Sequence, residues 1–301
     1  MDTLMNYSIV DVFAEAPFGG NPLAVVRDAA HLDTATMQAI ALEMNLSETT
    51  FVTAVTGDRA TVRIFTPYEE LPFAGHPTLG TAWVLSGGKR PFTLALRAGD
   101  VPVRFANGCA WMTPPAARLG GAVSARIAAE SIGLAETDLD GSIGPCYVTC
   151  GPKFLLIRVK TLAALKRVRV EREALNALEP GVYPFTVCNE TYSPDADFAA
   201  RMHFFDGAGM REDPATGSAC AAFAASLKSY GATGSFVVEQ GFEIARPARI
   251  YLRVGATNEV GGKVRSVAEG RFLEATWRPR HVPRTLRGDA DDRLLAESHD
   301  E

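Results

Sequence analysis

One short motif occurs twice in the chain, and this duplication limits the possible folds more than any other feature. His76–Ala82 reads HPTLGTA and Asp213–Ala219 reads DPATGSA, with Pro, Gly and Ala in common places and Thr facing Ser at a fourth. The offset is 137 residues, and upstream RIFTP (Arg63 to Pro67) and RMHFF (Arg201 to Phe205) are similarly placed strand-like runs. A repeat on this scale suggests a duplicated unit, although seven aligned positions rich in small residues also arise by chance. If the halves face each other across a pseudo-twofold axis, both helix N-termini point into one cleft and their partial positive charges converge on one ligand.

Each copy reads as a helix start. Asp213 suits the N-cap, Pro214 the first helical position, and the apolar run from Ala219 to Leu227 carries the helix into a core. Pro77 is placed the same way in the first copy, so both prolines are expected to open buried central helices. The small residues Ala215, Thr216, Gly217, Ser218 and Ala219 leave the first turn bare, with N–H groups open to an approaching anion. Taken alone, the stretch reads first as an ordinary capped helix packed through small residues.

Composition accommodates two halves, because 301 residues with 47% hydrophobic content fill two cores of ordinary size. A net charge of −5 without a basic cluster argues against nucleic acid. No apolar run approaches the ~20 residues of a spanning helix, and MDTLMNYSIVDVF reads as a strand and not a leader, so no membrane association and a cytoplasmic location are expected. Five scattered cysteines, Cys109, Cys146, Cys150, Cys188 and Cys220, do not form a disulfide framework and are expected reduced. With five dispersed histidines and no HExxH, Walker loop or complete GxGxxG, the sequence supports neither a metal nor a nucleotide cofactor.

In the first half, MNYSIVDVFAEAPFGGNPLAVV reads as strand, Gly-Gly-Asn-Pro turn, strand. From Asp33, Met37, Ile40, Ala41 and Met44 recur at helical spacing, with Asn45 a left-handed stop before the strand TTFVTAV. Glu48 falls at that junction, where its simplest reading is a solvated loop acid.

Taken together, DVFAEAPFGGNPLAVV, EMNLSETTFV, RIFTPYEELPFAGHPTLGTA, GPKF, EDPATGSA and EQGFEIARP resemble, in the same order, segments of the PhzF-like isomerase family of phenazine biosynthesis. The resemblance runs from about Asp11 to Pro247. It implies an α/β (α+β) fold of two pseudo-symmetric halves, each a curled mixed β-sheet around a central helix, as in diaminopimelate epimerase, with the active site between them. We place the first half at residues 1–120, the second at 121–283, and a charged, disordered tail at 284–301. Dimerisation is implied by the family alone.

By the same resemblance Glu48 matches the family's acid/base carboxylate, His76 its GHP histidine, and Asp213 and Ser218 its EDPATGSA pair. The expected site therefore comprises Glu48, His76 and Asp213 as catalytic residues, with Gly75, Thr78, Gly217 and Ser218 binding the substrate, and no metal or cofactor. A desolvated glutamate in a closed cleft can take a proton from carbon and return it elsewhere on the same face of a small unsaturated or hydroxylated carboxylic acid. His76 and Asp213 would flank that substrate from opposite halves. The phenazine enzymes tend to read EDAATGSA and GRP where this chain has EDPATGSA and Ala245-Arg246-Pro247, which leaves the substrate open.

Three other readings compete. A two-thiol epimerase or racemase would need cysteines where this chain carries His76 and Asp213. A serine hydrolase on Ser218 lacks the GxSxG elbow. A non-catalytic carboxylate-binding protein of the same fold is the strongest competitor, and it has no use for an acid beside a ligand's carbon.

Overall fold

The computed structural model describes residues 5–206 and 209–273. The expected disordered tail lies outside them. The first part of the chain runs β1 (Asn6–Val12), β2 (Asn21–Val26), α1 (Thr34–Met44), β3 (Glu48–Thr56), β4 (Arg59–Phe65), β5 (Glu70–Leu71), α2 (Gly75–Ser86), β6 (Phe92–Leu96), β7 (Gly99–Ala106) and β8 (Cys109–Met112). The second runs β9 (Arg118–Ala122), α3 (Ala125–Ser131), β10 (Cys146–Thr149), β11 (Lys153–Arg158), α4 (Leu162–Arg167), β12 (Val182–Cys188), β13 (Phe198–Phe205), β14 (Met210–Asp213), α5 (Gly217–Ser229), β15 (Gly234–Gln240), β16 (Ala248–Val254) and β17 (Glu259–Gly262). A final strand, β18 (Val264–Arg271), returns to pair antiparallel with β1.

Strand pairing makes the duplication explicit. In the first half β2 lies parallel to β3, β3 antiparallel to β4, β4 parallel to β6, and β6, β7 and β8 follow antiparallel. In the second, β11 lies parallel to β12, β12 antiparallel to β13, β13 parallel to β15, and β15, β16 and β17 follow antiparallel. The halves are joined edge to edge where β8 pairs with β17. The expected boundary at residue 120 falls inside β9, and β18, from the far end of the second segment, completes the first half's sheet.

Each sheet curls around one helix. Strands β1, β2, β3, β6, β7, β8 and β18 all touch α2, while β9, β10, β11, β16 and β17 touch α5. That enclosure explains why neither helix has a polar stripe: Gly75 to Ala82 and Gly217 to Ala224 are buried without interruption, and a helix apolar all round must be wrapped on every side. Leu79 and Phe223 sit in one continuous core with Val10, Leu23, Phe185 and Ile250. Gly80 makes room for this packing: a Cβ there would stand 2.6 Å from the Leu23 Cδ2 methyl and 2.8 Å from Val12 Cγ2, which would have to shift.

The α1 reading holds at both ends. Asp33 accepts from the Thr36 N–H at 2.8 Å, and Asn45 closes the helix at φ 49°. The five cysteines are free, with Cys146 half-buried and the other four buried. Among the described residues no helix is long and apolar enough to cross a membrane.

Candidate active site

A cavity of about 480 Å³ opens between the two helix starts and is lined by residues from both halves. Glu48, Gly75, His76, Asp213, Gly217 and Ser218 all line it, whereas Thr78 does not. Thr78 sits behind the wall, its hydroxyl donating to the Ala74 carbonyl at 2.7 Å. A threonine four residues into a helix turns back on its own backbone.

The helix starts differ from the sequence reading. Asp213 ends β14 and does not cap α5, which begins at Gly217 after Thr216; Pro214 is outside the helix and Ser218 is its second residue. The cause is Gln240, whose amide accepts from the Thr216 N–H at 3.1 Å and donates to the Asp213 carbonyl at 2.8 Å. Both backbone groups are thus committed outside any helix. Likewise His76 and Pro77 lie within the first turn of α2, which starts at Gly75 after Ala74.

The repeat itself is therefore in a different register. Leu71 pairs with Ile64 as Asp213 pairs with Met202, and Glu70 with Phe65 as Glu212 with His203. Leu71-Pro72 thus corresponds to Asp213-Pro214 and Gly75 to Gly217, so His76 and Asp213 are not structural counterparts. The HPTLGTA echo lies five residues from the true register, because helix starts packed this tightly select Pro, Gly and Ala at several neighbouring positions. In the correct register the two glycines face each other: a Cβ on Gly75 would stand 3.1 Å from the Gly217 Cα and 3.1 Å from the Ser218 nitrogen. The positions before the helices hold Ala74 and Thr216, neither a thiol. Cys220 is fully buried, and burial followed by the Asp213 charge pushes its thiol far up.

Glu48 is the first residue of β3, placed there by parallel pairing with Leu23, and its carboxyl turns into the cavity. It is no solvated loop acid. Its Oε2 lies 3.2 Å from His76 Nε2, but off line, so that both atoms are buried without a hydrogen-bond partner. Burial first, then the Asp213 charge, raises the Glu48 carboxyl well above its ordinary range. Burial lowers His76 to about 3 against a smaller opposing effect from its bond to the Pro22 carbonyl, which keeps the ring neutral.

Asp213 is surrounded by donors. Asn21 Nδ2 reaches its Oδ1 at 2.8 Å, the Thr216 hydroxyl its Oδ2 at 2.5 Å, and Ser47 its Oδ1 at 3.4 Å. Burial raises it to about 6, and the bonds from Thr216, Asn21 and Ser47 oppose that rise. The sequence reading missed Asn21, Ser47, Thr216 and Gln240. Asn21 stands in a Gly-Gly-Asn-Pro turn, Ser47 next to Glu48, Thr216 among residues chosen for smallness, and Gln240 in EQGF, which carried no local chemistry.

It also missed Tyr183. This residue pairs with Phe154 as Glu48 pairs with Leu23, which makes it the second half's counterpart of Glu48, and it lines the same cavity. Burial, then the charges of Glu69 and Glu48, raise its phenol, so the hydroxyl stays protonated. The remaining charged lining residues are Glu69, Asp206, Arg211 and Glu212. Asp206 pairs with Arg211, and Glu212 with the buried Arg201 at 2.6 Å. Among the described residues no group of acids, histidines and cysteines is arranged to hold a metal ion.

The chain is similar over most of its length to known proteins. The model of a family described as phenazine biosynthesis-like protein matches residues 10–270. An uncharacterised isomerase of Mesorhizobium japonicum is 36% identical over 300 residues, covering 89% of this chain and 98% of the relative. The trans-2,3-dihydro-3-hydroxyanthranilate isomerase of Pseudomonas aeruginosa is 35% identical over 286 residues, covering 88% and 98%. The crystal structure of a PhzF-family phenazine biosynthesis protein of Bacillus anthracis superposes with a TM-score of 0.80 at 28% identity, over 90% of this chain and all of that one.

Proposed function

The chain belongs to the phenazine biosynthesis-like family, and both relatives described above are named isomerases; on that footing we propose that it moves a proton within a small unsaturated or hydroxylated carboxylic acid, with Glu48 as the acid/base group. One observation supports this reading above all. Glu48 places a buried carboxyl oxygen without a hydrogen-bond partner in a cavity shared by both halves. A structural carboxylate that deep is normally paired; a group that must form its bond with the substrate is not.

In this reading the substrate carboxylate sits at the facing helix starts, against the N–H groups near Gly75 and Gly217–Ser218. The acidity of the lining is compatible with an anion there when Glu48 carries its proton and Asp206 and Glu212 keep their arginine partners. The ionised fraction of Glu48 breaks a C–H bond and takes the proton. The electron pair shifts through the conjugated system, and Glu48 gives the proton back at a second carbon, so substrate and product are isomers. Its raised pKa serves both halves of the cycle, making the carboxylate a stronger base and the acid form available near neutrality. His76 and Asp213 hold the substrate's polar groups and move any second proton.

The test is solvent deuterium incorporation into a panel of such acids, beside calorimetric titration of the same compounds. Glu48→Gln keeps shape but removes the base, and should slow exchange by ~10²-fold or more while affinity stays within a few-fold. Equal exchange rates in wild type and variant would remove Glu48 from the role. Binding without exchange in the wild type would favour a carboxylate-binding protein of the same fold.

A further inference from the structure

Hydrogen-bond direction distinguishes the two cavity carboxyls. Gln240 is 1% exposed and its amide cannot be reversed, because its oxygen faces the Thr216 N–H, which only donates, and its nitrogen faces the Asp213 carbonyl, which only accepts. The same Nε2 donates to the Thr216 hydroxyl at 3.0 Å, which occupies one lone pair of that oxygen and leaves its own proton to be donated to Asp213 Oδ2 at 2.5 Å. Asn21, fully buried and supplied by the other half, is fixed through its nitrogen alone, its Oδ1 being buried without a partner. Its Nδ2 donates to the Ala215 carbonyl at 2.9 Å, so the second proton of that nitrogen points at Asp213 Oδ1.

We propose that Asn21, Thr216 and Gln240 are positioning residues, a backbone-anchored set of donors that keeps Asp213 the ionised member of the pair and leaves the cavity's proton on Glu48. The other titratable groups around Asp213 do not compete for that proton. His76 from α2 is neutral, Cys220 from α5 is held as a thiol, and Glu212 on β14 is paired with Arg201. Glu48 from β3 receives no comparable donor. The set spans both halves, with Asn21 on β2 and Thr216 and Gln240 from the second, so the charge on Asp213 depends on their being docked together.

The assignment concerns the substrate-free protein and is tested without any assay of turnover. Carbon-13 NMR of protein labelled at the Asp and Glu side-chain carboxyls, with resonances identified by their loss in Asp213→Asn and Glu48→Gln, follows both groups through pH. In the wild type Asp213 should titrate below Glu48 and be ionised at pH 7. Thr216→Val is close to isosteric and deletes the donor; it should raise the Asp213 midpoint by about one unit or more. Thr216→Ser should restore it, and Asn21→Ala, which leaves the start of α5 intact, should raise it independently. Thermal melts identify variants that are only destabilised. Asp213 protonated beside an ionised Glu48 in the wild type would overturn the proposal, as would midpoints unmoved in folded Thr216→Val and Asn21→Ala.

Discussion

Replacing Asp213 by Asn should change how stability depends on pH, in a direction set by the burial of this carboxyl. The Asp213 carboxyl stands at about 6 in the fold against an ordinary 3.8. Between those values the native state binds more protons than the unfolded chain, so stability falls as pH rises through about 4 to 6 and then levels off. Two units at ~1.4 kcal/mol each give a loss of ~3 kcal/mol that the Asn variant does not suffer. Asn will have its own pH-independent cost, because its NH₂ group must face Asn21 or Thr216, both donors. That cost shifts the curve without tilting it. Removing the Asp213 charge also relieves Glu48, whose raised pKa it supports, and adds in the same direction. Urea unfolding of both proteins at pH 4, 5, 6 and 7 should therefore show the difference moving in the variant's favour by ~3 kcal/mol or more. A difference flat with pH, or one moving toward the wild type, would mean that Asp213 is not raised by burial, and the electrostatic account of the site would fail.

Gly75→Ala would drive a Cβ against Gly217 and Ser218; chemical denaturation should register a loss of about 1–3 kcal/mol, and any exchange activity should fall with it. Arg201→Met should cost about 3–5 kcal/mol by stranding the buried Glu212, while the same change at Arg63, whose pair with Glu70 is more exposed, should cost less than half of that. Ala245 holds φ 56°, so Ala245→Gly should raise stability by about 0.5–1 kcal/mol in the same experiment. Iodoacetamide should leave activity of the native protein unchanged, since Cys220 is a buried thiol; inactivation by labelling of Cys220 would reopen two-thiol chemistry.

Much of this was legible in the sequence, for reasons that differ from residue to residue. Asp33 and Asn45 bound α1 because caps act within a few residues. The duplication was visible in Pro-Gly-Ala spacing, but its register was not. Register belongs to strand pairing and to the Gly75–Gly217 contact, neither of which composition encodes. From its neighbours alone Glu48 reads as a loop acid, because nothing near it in sequence reveals that β2 and the helix starts enclose it; only the family resemblance singles it out. Asn21 and Gln240 stayed hidden for a related reason: an amide's role depends on which backbone groups fix its two ends, and here those lie 194 and 27 residues away.

The return of β18 to β1 bears on how the protein is made. The first half cannot close its sheet until the last described strand has been synthesised, since Asn6 awaits Arg271 and Val12 awaits Val264. A nascent chain that has emerged through β17 holds α2 with one wall of its enclosure missing, and β1 remains an open edge on that side. Halves that look independent by symmetry are thus laced together by the order of synthesis, and loops closing over about 250 residues are slow to form. Joining the two ends and opening the chain between β8 and β9 would give a permuted protein whose halves each emerge complete.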